Sequence, residues 1–117
     1  MSTWKELNTR AQANTKRIQE TVPEMMREYK KLQNVAYAEG ALDKKTKEFI
    51  ALTYAIADKC EGCIGNHINK LVELGASRQE IAEIAEVAVV MGGGPGMVYS
   101  GKAMEAYDEA VSEKNQL

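Results

Sequence analysis

Apolar positions recur at helical spacing along nearly the whole chain, and caps and glycines interrupt them rather than strand-like alternation. Trp4, Leu7, Ala11 and Ile18 draw a thin apolar stripe through a charged segment, which predicts a peripheral helix over about 3–20. Thr21 is placed to cap a second helix, with Pro23 in the first turn, where its missing N–H costs nothing. Met25, Met26, Tyr29, Leu32 and Ala36 form its expected buried face, and Gly40 its end. Asp43 then caps a third helix, Lys44 to Ala57. Phe49, Leu52, Thr53 and Ile56 fall at i, i+3, i+4 and i+7, and Ala51 and Ala55 add a stripe of small residues. A helix apolar around most of its girth belongs at the centre.

Asp58 followed by Glu61 reads as a capping-box variant that opens a fourth helix. That helix runs through Ile64, Ile68, Leu71 and Leu74 and stops at Gly75. Ser77 with Glu80 is a full capping box for a fifth helix. Ile81, Ile84, Ala85, Ala88 and Val89 line one side of it, and Glu80, Glu83 and Glu86 the other. Gly92-Gly93-Gly94-Pro95-Gly96 breaks it, and a sixth helix over about Met97 to Ser112 closes the chain. Val87 to Met91 has the composition of a strand, but it continues the helical pattern before it. The expected fold is therefore all-α: five or six helices joined by short turns, mostly antiparallel to their neighbours. One domain over residues 1–117 is expected, with its core at about 42–107 and N-terminal helices over 3–39.

Composition narrows the class. A chain of 117 residues supports one core but not two. A net charge of −2 gives no electrostatic case for nucleic acid as a partner. The charge is uneven: residues 1–59 hold 11 basic and 8 acidic residues (+3), and residues 60–117 hold 4 and 9 (−5), a polarity able to orient subunits. No uninterrupted apolar run approaches the ~18 residues of a membrane span, and Met1 to Glu6 lacks a signal-peptide core. The expectation is a cytoplasmic protein without a membrane partner. In that compartment thiols stay reduced, so Cys60 and Cys63 point to redox or metal chemistry rather than to a structural staple.

The candidate chemistry is local. Cys60-Glu61-Gly62-Cys63 is a C-x-x-C pair, and His67, the only histidine, follows four residues later. At about 100° per residue, Cys60, Cys63 and His67 fall within about 60° of one another, on the face of Ile64 and Leu71. That face is expected to be buried. His67 at i+4 reaches the Cys63 sulfur. Cysteines at i, i+3 of a regular helix have Cβ atoms roughly 5–6 Å apart, whereas a disulfide wants roughly 3.8 Å. Closing it distorts the first turn, which Gly62 makes cheap. Glu48 joins by counting: it lies ten residues before Asp58, and His67 lies nine after it. If the two helices fold back at Asp58, carboxylate, imidazole and thiol fall at one level. The carboxylate can then polarise the imidazole, which draws the proton from a thiol that is otherwise mostly protonated below its usual pKa of ~8.5.

Glu48, then C-x-x-C twelve residues on, then His67, then Gly75-Ala76-Ser77 and the Gly-Gly-Gly-Pro turn: this series resembles the alkylhydroperoxidase D-like branch of the carboxymuconolactone decarboxylase family. The resemblance covers about Leu42 to Tyr107. It implies an all-helical fold assembled as trimers or hexamers. It also implies reduction of a small hydroperoxide, or disulfide exchange with another protein, through a dithiol/disulfide cycle reset by a thiol donor protein, without a bound cofactor. By the family's roles Cys63 is attacked by the oxidant, Cys60 resolves the disulfide, and Glu48 and His67 relay protons. The helix dipole taken alone favours Cys60 as the more acidic thiol. One position departs from the family: its well-studied hydroperoxidases carry a second histidine between the cysteines, where this chain has Gly62. That leaves general thiol–disulfide exchange open. The decarboxylase branch needs no cysteine pair.

Other readings of the same residues are plainer. Free cysteines pack as small hydrophobes, and His67 on an apolar face can be a core histidine. Cys60, Cys63, His67 and Glu48 offer four zinc ligands, although structural zinc prefers more cysteine or histidine. A helical oligomer that senses oxidants or binds metal through the pair is the non-enzymatic alternative. Gly96 to Ala103 nearly spells a phosphate loop, but Ala103 replaces the magnesium-binding hydroxyl and the preceding segment reads as helix. The five tyrosines and six methionines read most simply as core and subunit contacts.

Overall fold

The computed structural model describes residues 3–116. Five helices follow one another: α1 (Thr3–Thr21), α2 (Pro23–Tyr37), α3 (Lys44–Ala57), α4 (Glu61–Glu73) and α5 (Arg78–Asn115), with no strand among the described residues. The all-α expectation holds, and the boundaries differ in instructive places.

The α1–α2 break falls one residue later than expected. Thr21 is still helical and its hydroxyl donates to Arg17 O at 2.7 Å, while Val22 is the N-cap and offers no side-chain acceptor. Proline pushes the residue before it out of the α region, so the break belongs to Val22. The predicted inner face of α2 is also corrected, since α2 has no buried residue. Met25 is 60% exposed and Leu32 66%. Its apolar stripe has nothing within the chain to pack against.

At α3 the Asp43 carboxylate accepts the Thr46 N–H at 2.8 Å, as its position predicts. The next turn overrules the sequence pattern. Asp58 closes α3, its N–H bonded to Tyr54 O at 2.8 Å, and does not open α4. Lys59 takes a left-handed φ of 57°, and Cys60 is the N-cap of α4. Reversing the chain tightly costs one left-handed residue, which moves the start of α4 beyond the reach of Asp58. Glu61, freed from the expected box, pairs with Lys102 at 3.0 Å. The Ser77–Glu80 box forms reciprocally, at 3.0 and 2.9 Å.

α5 is two antiparallel arms rather than one rod. Gly93, at φ 61° and ψ −138°, turns the chain back. Arg78 Nε lies 2.8 Å from Asp108 Oδ1, a pair that a straight helix would hold about 45 Å apart. The second arm is the predicted sixth helix. The arms cross closely: a Cβ on Gly96 would lie 2.5 Å from Ala88 O. An 18-residue stretch of α5 has mean hydropathy 1.4, long and apolar enough by that measure to cross a membrane. That qualifies the expectation of no such run, but every such stretch includes the reversal at Gly93.

Leu52, Ile56, Ile64, Ile68, Leu71 and Ile81 are the large side chains that are fully buried, and Ala103 and Ala106 of the second arm pack against them. The phosphate-loop-like segment is helix with one face in the core: Gly96, Ser100 and Ala103 are buried, Met97 and Val98 are exposed, and Lys102 is paired with Glu61. Burying each large aliphatic side chain contributes roughly 1.5–3 kcal/mol. α1 is fastened across the top. Trp4 is buried, its backbone N–H donating to Glu109 at 2.8 Å and its indole N–H to Glu105 at 2.6 Å.

Candidate functional site

The α3–α4 hairpin brings Glu48 and His67 together. Leu52, Ala55 and Ile56 turn the inner face of α3 toward the core, and Glu48 at the start of that face is only 5% exposed. A carboxylate so placed needs a partner. His67 Nδ1 supplies it at 2.7 Å from Oε1. An ionised carboxylate only accepts, so Nδ1 carries the hydrogen and Nε2 is the basic nitrogen of the neutral ring. Counting ten residues back and nine forward from the turn leads to this pair.

Cys60 and Cys63 are joined as a disulfide, Cα to Cα 5.2 Å. The distortion it requires is found at Cys60, two residues before the glycine expected to ease it. Cys60 stands outside the helix as N-cap (φ −100°, ψ 96°), while Gly62 stays helical. The Cys63 N–H points to Cys60 Sγ at 3.2 Å, a sulfur in the place of a capping oxygen. The shared buried face is corrected in part. Ile64 and Leu71 are buried, but Cys60 is half-buried, His67 nearly closed off and Cys63 exposed. Cys63 lies at the edge of the apolar arc, where α4 turns from the core toward two clefts.

α1 is packed directly onto the C-x-x-C helix. The Asn8 side chain fills the space a Cβ would take at Gly65, whereas a Cβ at Gly62 would make only an ordinary contact, 3.4 Å, with the Ala11 Cβ.

Sequence reasoning missed Tyr37. Its ring lies 6.3 Å from that of His67, with Lys70 Nζ 5.7 Å from its centroid. Lys47 Nζ donates to Ala36 O at 2.8 Å and to Ala38 O at 2.5 Å, tying the end of α2 to α3. Burial first, and the Glu48 charge second, push the Tyr37 phenol above its ordinary pKa, so it stays protonated. The signal was the short link between α2 and α3, which forces the last turn of α2 beside the first turns of α3 where Glu48 sits. Tyr54 is the other tyrosine at the site, 70% exposed beside Ile50.

Two clefts meet at Tyr37, Cys63 and His67. One, of about 490 Å³, is walled by Leu42, Ile50, Ala51, Tyr54 and Ala55 and is mainly apolar. The other, of about 730 Å³, lies between α1, α2 and α4 and also reaches Cys60. Among the described residues no group of three or more His, Cys, Asp or Glu is arranged to hold a metal ion.

Comparison with known proteins agrees with this architecture. A protein of Haemophilus influenzae is 35% identical over 104 residues, 89% of this chain and 92% of its own. A carboxymuconolactone decarboxylase family protein from Legionella pneumophila superposes with a TM-score of 0.90 at 39% identity, over 94% of this chain and 98% of its own. One from Thermotoga maritima, described with a possible part in the antioxidative response, superposes at 0.78 and 29% identity, over 92% and 95%. The family model for carboxymuconolactone decarboxylases matches residues 23–108, which include the lining of the apolar cleft, the disulfide and the Glu48–His67 pair but not the α1 wall of the second cleft, and the chain belongs to that family.

Proposed function

We propose that this protein is a thiol-dependent oxidoreductase that reduces organic hydroperoxides, or the disulfides of a partner protein, through Cys60 and Cys63. The observation that carries the reading is a disulfide closed one helical turn from a histidine whose far nitrogen is held by a buried carboxylate. In the reduced protein His67 Nε2 takes the Cys63 proton and Glu48 stabilises the imidazolium. The Cys63 thiolate attacks one peroxide oxygen, the O–O bond breaks, and the alkoxide leaves with the proton from His67 as an alcohol. Cys63 is then a sulfenic acid. The Cys60 thiolate attacks its sulfur, the S–S bond forms, and hydroxide leaves as water with the proton given up by Cys60. Two electrons have passed from the thiols to the peroxide. Two thiols of a donor protein return them.

The apolar cleft suits the carbon skeleton of the oxidant, and Leu42, Ile50 and Tyr54 form its open side. With a partner's disulfide as oxidant, the same thiolate forms a mixed disulfide that Cys60 resolves. The antioxidative description of the Thermotoga relative supports this direction. The chain works, in this proposal, in the reducing cytoplasm as a homotrimer or homohexamer. Val90 and Met91, 83% and 82% exposed at the α5 reversal, and Met25, Leu32 and Val35 of α2, which line neither cleft, are surfaces such an assembly would cover.

The test is oxidation of the reduced protein by tert-butyl hydroperoxide, read as loss of free thiols, in wild type, Cys63→Ser and His67→Ala. Wild type is expected to lose two thiols per chain rapidly and recover them with a dithiol. His67→Ala is expected to slow about a hundredfold or more, and Cys63→Ser to form no intramolecular disulfide. Equal rates in all three would defeat the mechanism.

A further inference from the structure

The cleft between α1, α2 and α4 has no part in the chemistry above, yet its floor is the disulfide itself, with Cys60, Cys63 and His67. Its walls differ in kind from those of the apolar cleft. Asn8, Gln12 and Gln19 line it from α1, Gln33 from α2, and Asn66 and Asn69 from α4. Lys30 and Lys70 also line it, and among the described residues no carboxylate does.

A carboxamide both donates and accepts. Amides on facing helices match the N–H and C=O groups of an extended main chain, which must find partners when they leave water. Ile18, Met26 and Tyr29 also line the cleft and can take apolar side chains of such a segment, whereas a bare alkyl chain would strip the amides of water without replacing their bonds. The wall is held in place by the Trp4 bonds to Glu105 and Glu109 and by the close packing of α1 at Gly62 and Gly65. From Asn8 to Gln19 the helix advances 11 residues, about 16 Å, the length of about five extended residues.

We propose that this cleft docks an extended, acidic polypeptide segment carrying the thiols that reduce the Cys60–Cys63 bond. Reductant and oxidant then reach Cys63 through different clefts. The proposal rests on the redox reading above and adds the class of donor and where it binds. A donor thiolate attacks the exposed Cys63 Sγ, and the S–S bond breaks. Cys60 leaves with the electron pair, beside the Cys63 N–H that already points at its sulfur. His67 takes the proton of the donor's second thiol. That second thiolate attacks the donor sulfur of the mixed disulfide, freeing Cys63. The donor ends as a disulfide, two electrons lighter; the proton of its second thiol is on the protein, and the one its first thiol shed to water on ionising is returned from water to Cys60.

The test uses the full-length oxidised protein and three reductants: dithiothreitol, a blocked peptide of about seven residues with two cysteines flanked by aspartates, and its twin with lysines for the aspartates. Opening of the disulfide is followed by thiol release. Wild type is expected to favour the acidic peptide over the lysine twin by about tenfold. Gln12→Leu with Gln33→Leu is expected to lower the ratio of the acidic-peptide rate to the dithiothreitol rate by about three- to tenfold per amide. Lys30→Glu is expected to reverse the preference between the peptides. These positions are surface or half-exposed, so folding is checked simply by circular dichroism. Equal rates for the two peptides in wild type, with dithiothreitol active, would overturn the docking cleft alone, whether it stays empty or a second copy closes it. A disulfide that none of the three reductants opens would overturn the redox reading as well.

Discussion

The α3–α4 hairpin and the α1–α2 pair are built from similar lengths of amphipathic helix, yet only the hairpin is filled. Leu52, Ile56, Ile64, Ile68 and Leu71 are fully buried, whereas the apolar stripe of α2 buries nothing. The difference is whether a second apolar face is available within the chain. α3 and α4 face each other and the two arms of α5. α2 meets polar α1, the start of α3 and, through Tyr37, the polar His67 and Lys70 of α4. The closed region holds the Glu48–His67 pair at fixed geometry. The open region forms one side of each cleft and brings Tyr37 to them.

Mutation should separate the two regions most sharply through packing. Ile68→Ala is expected to cost about 2–5 kcal/mol of unfolding free energy, and Leu32→Ala in dilute protein under about 0.5 kcal/mol. Chemical denaturation measures both, and comparable losses would mean that α2 is packed as tightly as the hairpin. Glu48→Gln keeps the hydrogen bond in shape but removes the charge, so thiol oxidation is expected to slow by about a hundredfold. Stopped-flow measurement at neutral pH with a hydroperoxide reads it.

Gly96→Ala drives a Cβ into a backbone carbonyl across the α5 reversal and is expected to cost about 1–3 kcal/mol. Gly40→Ala, with open space around it, has no such collision, and a thermal shift of similar size in both would remove the argument. Trp4→Phe deletes the indole hydrogen bond to Glu105 and is expected to loosen α1 by about 1 kcal/mol. Faster amide exchange confined to α1 would show it; loss spread over α4 would contradict it.

Acid acts on carboxylates at helix caps and surface pairs. Thr46 holds the Asp43 carboxyl below its ordinary range, the Ser77 N–H and then Lys45 do so for Glu80, and Arg78 for Asp108. Groups whose folded pKa is depressed stabilise the fold above the ordinary carboxylate range and lose that contribution as pH falls through the depressed values. Melting temperature should therefore fall below about pH 4, and Asp108→Asn should flatten the decline. An unchanged slope would show that the Arg78–Asp108 pair adds nothing.

Much of this was legible in the sequence, for physical reasons. Ser77–Glu80 and Asp43 were read correctly because a cap needs only local geometry. Glu48 and His67 were found by counting along two rods of known rise. Asp58 misled because a tight reversal needed a left-handed Lys59, which no propensity announces. Met25, Tyr29 and Leu32 were assigned to a core because periodicity shows that a face is apolar, not whether anything covers it. Tyr37 was passed over because the short α2–α3 link shows only that the end of α2 lies near Glu48, while the pinning by Lys47, a long side chain on two carbonyls, leaves no pattern in the chain.

The account depends on the Glu48–His67 pair acting on the Cys63 sulfur. The direct measurement is the pH dependence of Cys63 alkylation by iodoacetamide in reduced Cys60→Ser protein, with and without His67→Ala. The account predicts that Cys63 ionises at lower pH when His67 is present, and that its alkylation midpoint moves toward the ordinary thiol value of ~8.5 when it is removed. Superimposable profiles would contradict it.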